Sequence, residues 1–169
     1  RYSSSAASDV YKRQVIEYAR NCAGLKEATS EEFDEKSNSS EDHLIYHLSK
    51  WIKDQKVEIR SKVQNKGGTM RLGAYPAKIK KGTMAYSIYK KAIVSERHRH
   101  RFEVNINYQE ALEDNGLTFS GFSQDGLLPE VVELSSHPFF LGVQFHPELK
   151  SKPFEPHPIF SNFIKKALE

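Results

Sequence analysis

Hydrophobic residues recur at helical spacing in several parts of the chain. This spacing predicts helices over residues 15–20, 44–52, 85–91 and 106–115, the last ended by a glycine at residue 116 in a C-cap position. A closing helix over 158–168 should pack one apolar face against the core. The residues that define the predicted faces are Leu44, Ile45, Leu48, Trp51 and Ile52 in the second helix, and Ile159, Phe160, Phe163, Ile164 and Leu168 in the last.

Alternation of polar and apolar residues predicts strands over 70–79, 117–122, 131–134 and 140–145. Pro76 marks the first of these as an edge strand or a bent one, because proline has no N–H for a sheet ladder. Strands mixed with helices indicate an α/β or α+β domain. Its second half is the better defined, so we expect a sheet that is incomplete on its N-terminal side, with an exposed edge.

The first 14 residues differ in character from those that follow. They are polar and rich in serine, without helical or strand period. At Val15 a helical pattern begins with no N-cap before it. We therefore expect residues 1–14 to be an unrelated, disordered segment and residues 15–169 to form a partial domain. Residues 26–41 are polar and acidic and are predicted to be a loop.

Composition narrows the class of protein. Of the 169 residues, 38% are hydrophobic and 28% are charged, as in an ordinary globular domain. The net charge of +3 is too small to indicate a nucleic-acid partner by itself. No run of about 18 apolar residues predicts a membrane span. Cys22 is the one cysteine, so an internal disulfide is impossible and a reducing compartment fits best.

An apolar run ends in QFHPE at residues 144–148. A histidine at the end of a buried strand can face a cleft, and Glu148 two residues later can orient the His146 imidazole and stabilise its protonated form. Pro147 fixes φ and prevents a helix from continuing there. Alone, the His-Pro-Glu tripeptide at residues 146–148 is more typical of a structural histidine beside a surface glutamate.

Basic residues and histidines alternate in ERHRHRFEVN at residues 96–105. The segment is compatible with a solvated charge run or with a nucleic-acid patch, although it holds a single aromatic residue. In an extended chain, Arg97, Arg99 and Arg101 would share one face and could hold a carboxylate. A glycine pair, Gly67-Gly68, precedes the strand at 70–79 but lacks the features of a phosphate loop.

Taken in order, GGTMRLG, ERHRHRFEVN, QFHPE and HPIFSNFIK resemble the glutamine amidotransferase domain of the CTP synthase family, as do VIEYARN and SEEF near the start. The resemblance covers residues 15–169. It implies a class I glutamine amidotransferase-like fold, which is a flavodoxin-like mixed sheet flanked by helices. By this resemblance His146 is the base of a Cys-His-Glu triad and Glu148 its orienting carboxylate. Arg101 and Glu32 match residues that bind the substrate, L-glutamine.

The same resemblance implies the reaction of the whole enzyme. ATP with Mg²⁺ activates UTP on an N-terminal synthase domain, and the glutaminase domain supplies ammonia from glutamine. GTP is an allosteric activator, the enzyme is a cytoplasmic homotetramer, and the glutaminase domain itself needs no metal or other cofactor. The alternative is a non-catalytic module that binds an anionic partner through residues 97–101.

The chain departs from the family at the nucleophile. Counting back from residue 15 places the family's cysteine at Ser8, where the sequence bears no likeness to the family's GICLGMQ turn. Cys22 falls at a position where the family has a packing residue, and we expect it to be buried. We therefore expect no nucleophile in this chain and no glutamine hydrolysis by it alone.

Overall fold

The computed structural model describes the backbone of residues 6–33, 43–47, 50–53, 56–59 and 70–169, and the side chains of residues 9–33, 43–47 and 70–169. Several predicted features lie outside the described residues. They are residues 1–5, the loop from 34 to 41, Leu48 and the glycine pair Gly67-Gly68.

The described chain contains both helices and strands. The helices are α1 (Ala6–Asn21), α2 (Met84–Tyr89), α3 (Gln109–Glu113) and α4 (Pro158–Ala167). The strands are β1 (Ile45–His47), β2 (Lys50–Lys53), β3 (Lys56–Ile59), β4 (Arg71–Ile79), β5 (Ile93–His100), β6 (Phe102–Val104), β7 (Leu117–Ser123), β8 (Pro129–Leu134) and β9 (Leu141–Val143). Short 3₁₀ turns cover Glu31–Phe33, Ile106–Tyr108 and Pro147–Leu149. The predicted α/β class is confirmed.

The largest sheet has the order β5-β4-β7-β8-β9, and all its described pairings are antiparallel. Strands β5 and β9 are the two edges of this sheet. The segment that follows β9 nevertheless forms hydrogen bonds with both β8 and β5. The Gln144 N–H donates to the Glu130 carbonyl on β8, and the His146 N–H donates to the Arg97 carbonyl on β5, each at 2.8 Å. The sheet is therefore curled, and residues 144–146 link the β8–β9 side of the sheet to its other edge, β5.

Two apolar clusters hold the curled sheet between helices. The first packs α1, through Tyr11, Val15 and Ala19, against strand residues that include Phe119. The second packs α2 and the start of α4 around Phe145. Pairs of strands outside the sheet, β1 with β6 and β2 with β3, complete the described chain.

The helix predicted over residues 44–52 is wrong. Leu44 and Ile45 are fully buried, and β1 pairs with β6, while Trp51 and Ile52 belong to the β2–β3 hairpin. Short apolar runs fit a helix and a strand about equally well, and here pairing with a distant strand decides between them.

Of the two alternatives predicted for β4, an edge strand or a bent one, the edge position is wrong. β4 lies between β5 and β7, with Pro76 opposite Ser95 on β5. The β7 ladder begins only at Ala77, so the missing N–H of Pro76 breaks no bond on that side.

Three further predictions are wrong: disorder before residue 15, burial of Cys22, and burial of the apolar face of α4. Residues 6–14 are not disordered but form the first half of α1, where Tyr11 is buried and its hydroxyl donates to the Pro129 carbonyl at 3.1 Å. Cys22 is exposed, because it lies just beyond the last residue of α1, where the chain turns. On α4 only Ile159 is buried, and the rest of the predicted face, Phe163 and Ile164 among it, is exposed.

A buried ion pair between Arg71 on β4 and Glu130 on β8 allows a prediction about stability. Replacing buried Arg71 by methionine keeps much of its volume but leaves the Glu130 carboxylate without its cation. We expect the free energy of unfolding, measured in urea, to fall by about 3–5 kcal/mol. Lys152→Met, which breaks a solvent-exposed pair with Glu155, is the control and should leave it nearly unchanged. Equal effects of the two substitutions would contradict the prediction.

Candidate active site and the polar network beneath it

His146 follows β9 and is oriented by Glu148 as the sequence predicted. The imidazole is 1% exposed, and its Nδ1 lies 2.7 Å from Glu148 Oε1. Pro147 begins a 3₁₀ turn directly after His146, and this turn folds the Glu148 side chain back onto the ring. The backbone N–H of His146 is held by Arg97 on β5. Local chain direction and the curl of the sheet together fix the position of the ring.

The hydrogen bond to Glu148 determines which ring nitrogen can act as a base. Because a carboxylate accepts, Nδ1 carries the proton and Nε2 keeps its lone pair. Nε2 is buried and has no hydrogen-bond partner among the described residues. A buried imidazole with one nitrogen held by a carboxylate and the other free has the form of a general base.

Glu32 and Arg101 line one cavity of about 270 Å³. Glu32 lies in the 3₁₀ turn at Glu31–Phe33, and Arg101 follows the end of β5. A guanidinium and a carboxylate on one small cavity match the carboxylate and ammonium groups of an amino acid. The remaining lining residues are Asp9, Lys12, Met70, Arg99, His100 and Phe102.

His146 and Glu148 are not among the residues that line this cavity. The link between the two pairs is strand β5, since the Arg97 carbonyl holds His146 and Arg101 lies four residues further along. An extended chain covers about 13 Å over that separation. The structure thus brings together Glu32 with Arg101 and His146 with Glu148. That all four face one bound glutamine stays a prediction.

Alternation along β5 places Arg97 and Arg99 on one face as the sequence predicted, whereas Arg101 lies just beyond the end of the strand. Arg97 and Arg99 are exposed, whereas Glu96, His98 and His100 are buried on the opposite face. The inward face is the part that the sequence analysis missed. The same alternation that assigned the arginines to one side also assigned the histidines to the other, and a partner carboxylate was the missing signal.

The buried histidines belong to a polar network inside the curl. Arg71 Nη2 lies 2.5 Å from Glu130 Oε1, and its guanidinium also packs over the Tyr75 ring. Glu130 Oε2 is 3.6 Å from His98 Nε2, and His98 Nδ1 is 2.9 Å from His100 Nε2. The network therefore joins three strands, β4, β8 and β5, beneath the arginine face.

Burial and charge set the protonation states of this network. Burial lowers the pKa of His98, although Glu130 opposes the shift. Burial also lowers the pKa of His100, and the neighbouring His98 and Arg71 add to the effect. For Glu130, burial raises the pKa, but Arg71 and His98 outweigh it and the net pKa is lowered. The two histidines are therefore neutral beside an ionised Arg71–Glu130 pair.

A second buried carboxylate anchors the last helix. Glu96 Oε1 lies 3.0 Å from His157 Nε2 and 3.1 Å from the Tyr89 hydroxyl. His157 Nδ1 accepts the Ile159 N–H and caps α4, so Nε2 carries the proton that is donated to Glu96. Burial raises the pKa of the Tyr89 hydroxyl, and the neighbouring Glu96 carboxylate raises it more. This cluster borders a cavity of about 780 Å³.

The described residues hold no group of three histidine, cysteine, aspartate or glutamate side chains placed to bind a metal ion. No helix among them has the length and apolar character needed to cross a membrane.

Comparison with known proteins agrees with the geometry. The family model described as glutamine amidotransferase class-I matches residues 14–166. The chain is 55% identical over 156 residues to the CTP synthase of Cereibacter sphaeroides (strain ATCC 17025) and 56% identical over 154 residues to that of Zymomonas mobilis. These matches cover 92% and 91% of the chain but 28% of each relative. The chain thus spans somewhat more than a quarter of their length.

A solved structure gives the same result for the fold. The glutaminase domain of Trypanosoma brucei CTPS with bound acivicin superposes with a TM-score of 0.74 at 37% sequence identity. The match covers 93% of this chain and 56% of that one.

The lowered pKa values of His98 and His100 predict how stability depends on pH. Below about pH 6.5, the ordinary histidine value, the unfolded chain binds protons that the folded chain does not. The free energy of unfolding should therefore fall as the pH is lowered from about 7 to 5, with up to about 1.4 kcal/mol per pH unit from each histidine. Urea unfolding at a series of pH values measures this.

Exposed His137 provides the control for this experiment. His137→Ala should show the same dependence on pH as the unmodified chain. A free energy of unfolding that stays constant between about pH 7 and 5 would contradict the assignment of neutral, buried histidines.

Proposed function

The chain belongs to the class I glutamine amidotransferase family, and we propose that it is the glutaminase portion of a CTP synthase, which releases ammonia from glutamine for the amination of UTP. The pairing of His146 with Glu148 is the observation that carries the proposal. It leaves Nε2 as the one basic nitrogen of a buried ring. The similarity to CTP synthases over more than nine-tenths of the chain supports the substrate assignment.

The cavity lined by Glu32 and Arg101 would hold the amino-acid end of glutamine. The Arg101 guanidinium can donate two parallel hydrogen bonds to a carboxylate, and the Glu32 carboxylate can accept from the ammonium group. The side-chain amide would then extend along β5 towards His146. In this arrangement Arg99, exposed on the same cavity, adds positive potential at the carboxylate end.

In the proposed reaction, His146 Nε2 takes the proton of a cysteine thiol, and the thiolate attacks the amide carbon of glutamine. The carbon–nitrogen bond breaks as His146 returns the proton to the leaving nitrogen, so that ammonia and a thioester form. His146 then removes a proton from water, which attacks the thioester to give glutamate and restore the thiol. Glu148 keeps the imidazole in the Nδ1–H form throughout.

The proposal for the whole enzyme extends beyond this chain. A synthase domain would bind UTP and ATP with Mg²⁺, and GTP would activate the enzyme, which we expect to be a cytoplasmic homotetramer. We propose no metal or cofactor for the glutaminase portion. The alternative, a non-catalytic module that binds an anionic partner through residues 97–101, stays a prediction without a specific observation in its favour.

Binding of L-glutamine tests the proposed site directly. Arg101→Ala should weaken binding by about tenfold or more, because it removes a charge-assisted pair of hydrogen bonds. Glu32→Gln should weaken it through the lost attraction for the ammonium group. Isothermal titration of the unmodified chain and the variants provides the dissociation constants.

Arg13→Ala serves as the control, since Arg13 is an exposed arginine on α1 that does not line the cavity. Its dissociation constant should match that of the unmodified chain. The absence of any binding by the unmodified chain, or equal binding by Arg101→Ala, would refute the glutamine site.

We further propose that the chain by itself hydrolyses no glutamine. Ser8 stands where the family's cysteine is expected, and Cys22 is exposed at the end of α1. A coupled assay should detect no ammonia above the level of a His146→Ala variant, because a hydroxyl cannot replace the thiolate route here. Release above that level would contradict the proposal, and its loss in Cys22→Ser would then identify Cys22 as the nucleophile.

A further inference from the structure

Gln144 makes contacts that neither packing nor the proposed reaction explains. It is fully buried, and its side-chain nitrogen lies 3.0 Å from the Phe102 carbonyl and 3.0 Å from His100 Nδ1. These two partners flank Arg101 on either side. Gln144 itself lies two residues before His146, and its backbone N–H donates to the Glu130 carbonyl.

The two contacts fix the orientation of the amide. A carbonyl oxygen can only accept, so the atom that faces Phe102 must be the amide nitrogen. The same nitrogen lies 3.0 Å from His100 Nδ1, which is also 3.3 Å from the Phe102 carbonyl and 3.3 Å from Glu103 Oε1. His100 Nε2 lies 2.9 Å from His98 Nδ1, and His98 Nε2 lies 3.6 Å from Glu130 Oε2. The amide is thus the outermost member of the polar network that contains the Arg71–Glu130 pair.

We propose that Gln144 is a positioning residue that clamps the chain around Arg101 to the segment that carries His146. The inference rests on the proposed function, since Arg101 and His146 would bind opposite ends of glutamine. The residue has no direct contact with a substrate in this arrangement. It sets the separation of the two groups by donating to both neighbours of Arg101 from a backbone position two residues from the base.

The chemistry of the side chain supports a clamp over a filler. A buried position that only needs volume is filled most stably by an apolar residue, because a buried polar group must be fully hydrogen-bonded. Two hydrogens on one nitrogen allow Gln144 to donate to two acceptors at once. Neither a methionine nor a glutamate, which has at most one hydrogen on an oxygen, can reproduce both bonds.

Two variants of the full chain test the clamp. Gln144→Met keeps the volume and loses both hydrogen bonds, and Gln144→Glu keeps the shape and loses at least one. In both we expect the backbone N–H of His146 to exchange with solvent about tenfold faster and glutamine to bind about tenfold more weakly. The imidazole ¹⁵N shifts of His100 should change, because its Nδ1 loses the contact with the amide nitrogen.

Leu112→Ala is the control for a general loss of stability, because Leu112 is a buried apolar residue of α3 and belongs to neither segment. It should leave the His100 spectrum unchanged and alter exchange at His146 only as much as global unfolding requires. Gln144 variants that match Leu112→Ala in all three measurements would overturn the proposal.

The outcomes separate this proposal from the one on which it rests. An unmodified chain that binds no glutamine contradicts the proposed function, while the exchange rate of His146 and the His100 spectrum still decide whether Gln144 joins the two segments. If Gln144→Met does not fold, the same measurements on Gln144→Glu decide the question. Unchanged spectra and exchange in that variant would refute the clamp.

Discussion

The candidate site depends on the curl of one antiparallel sheet. Residues 144–146 extend from the edge strand β9 and donate backbone hydrogen bonds to Glu130 on β8 and to Arg97 on β5, the opposite edge. Without this closure, the strand that carries the arginines and the segment that carries His146 would lie a full sheet apart. Each buried backbone donor must find an acceptor, and in the curled sheet these two bonds meet that requirement and assemble the site together.

Closing a sheet of this width leaves an interior that is partly polar. Arg71 and Glu130 are both nearly inaccessible to solvent, and removing two charges from water is costly unless they meet directly. Buried Glu103 lies 3.6 Å from Arg71 and 3.3 Å from His100, so that the guanidinium faces two carboxylates. Buried ion pairs of this kind contribute less to net stability than apolar packing would, but separating the partners leaves an uncompensated buried charge. A change of strand register that moved Arg71 away from Glu130 is therefore disfavoured.

The sequence predicted the elements whose signals are local. The alternation in β5, the short helix α2 and the three C-terminal strands follow from periodicity and turn residues, and the orientation of His146 by Glu148 follows from their spacing. Prediction from the sequence failed where a partner distant in the chain decides the secondary structure. In β1, the apolar residues fit the period of a helix or of a strand, and pairing with β6 selects the strand. Glu130 gave no signal at all, since a glutamate within an apolar strand resembles a surface residue until its arginine partner, 59 positions away, is known.

The two faces of β5 differ in burial, and therefore in how far substitution is restricted. Its outward arginines, Arg97 and Arg99, are exposed, whereas its inward residues, Glu96, His98 and His100, each contact a partner outside the strand. Substitutions at odd-numbered positions should thus leave the interior contacts intact. Even-numbered positions allow no such freedom, so a protein engineer has every second residue of this strand to change without rebuilding the network beneath it.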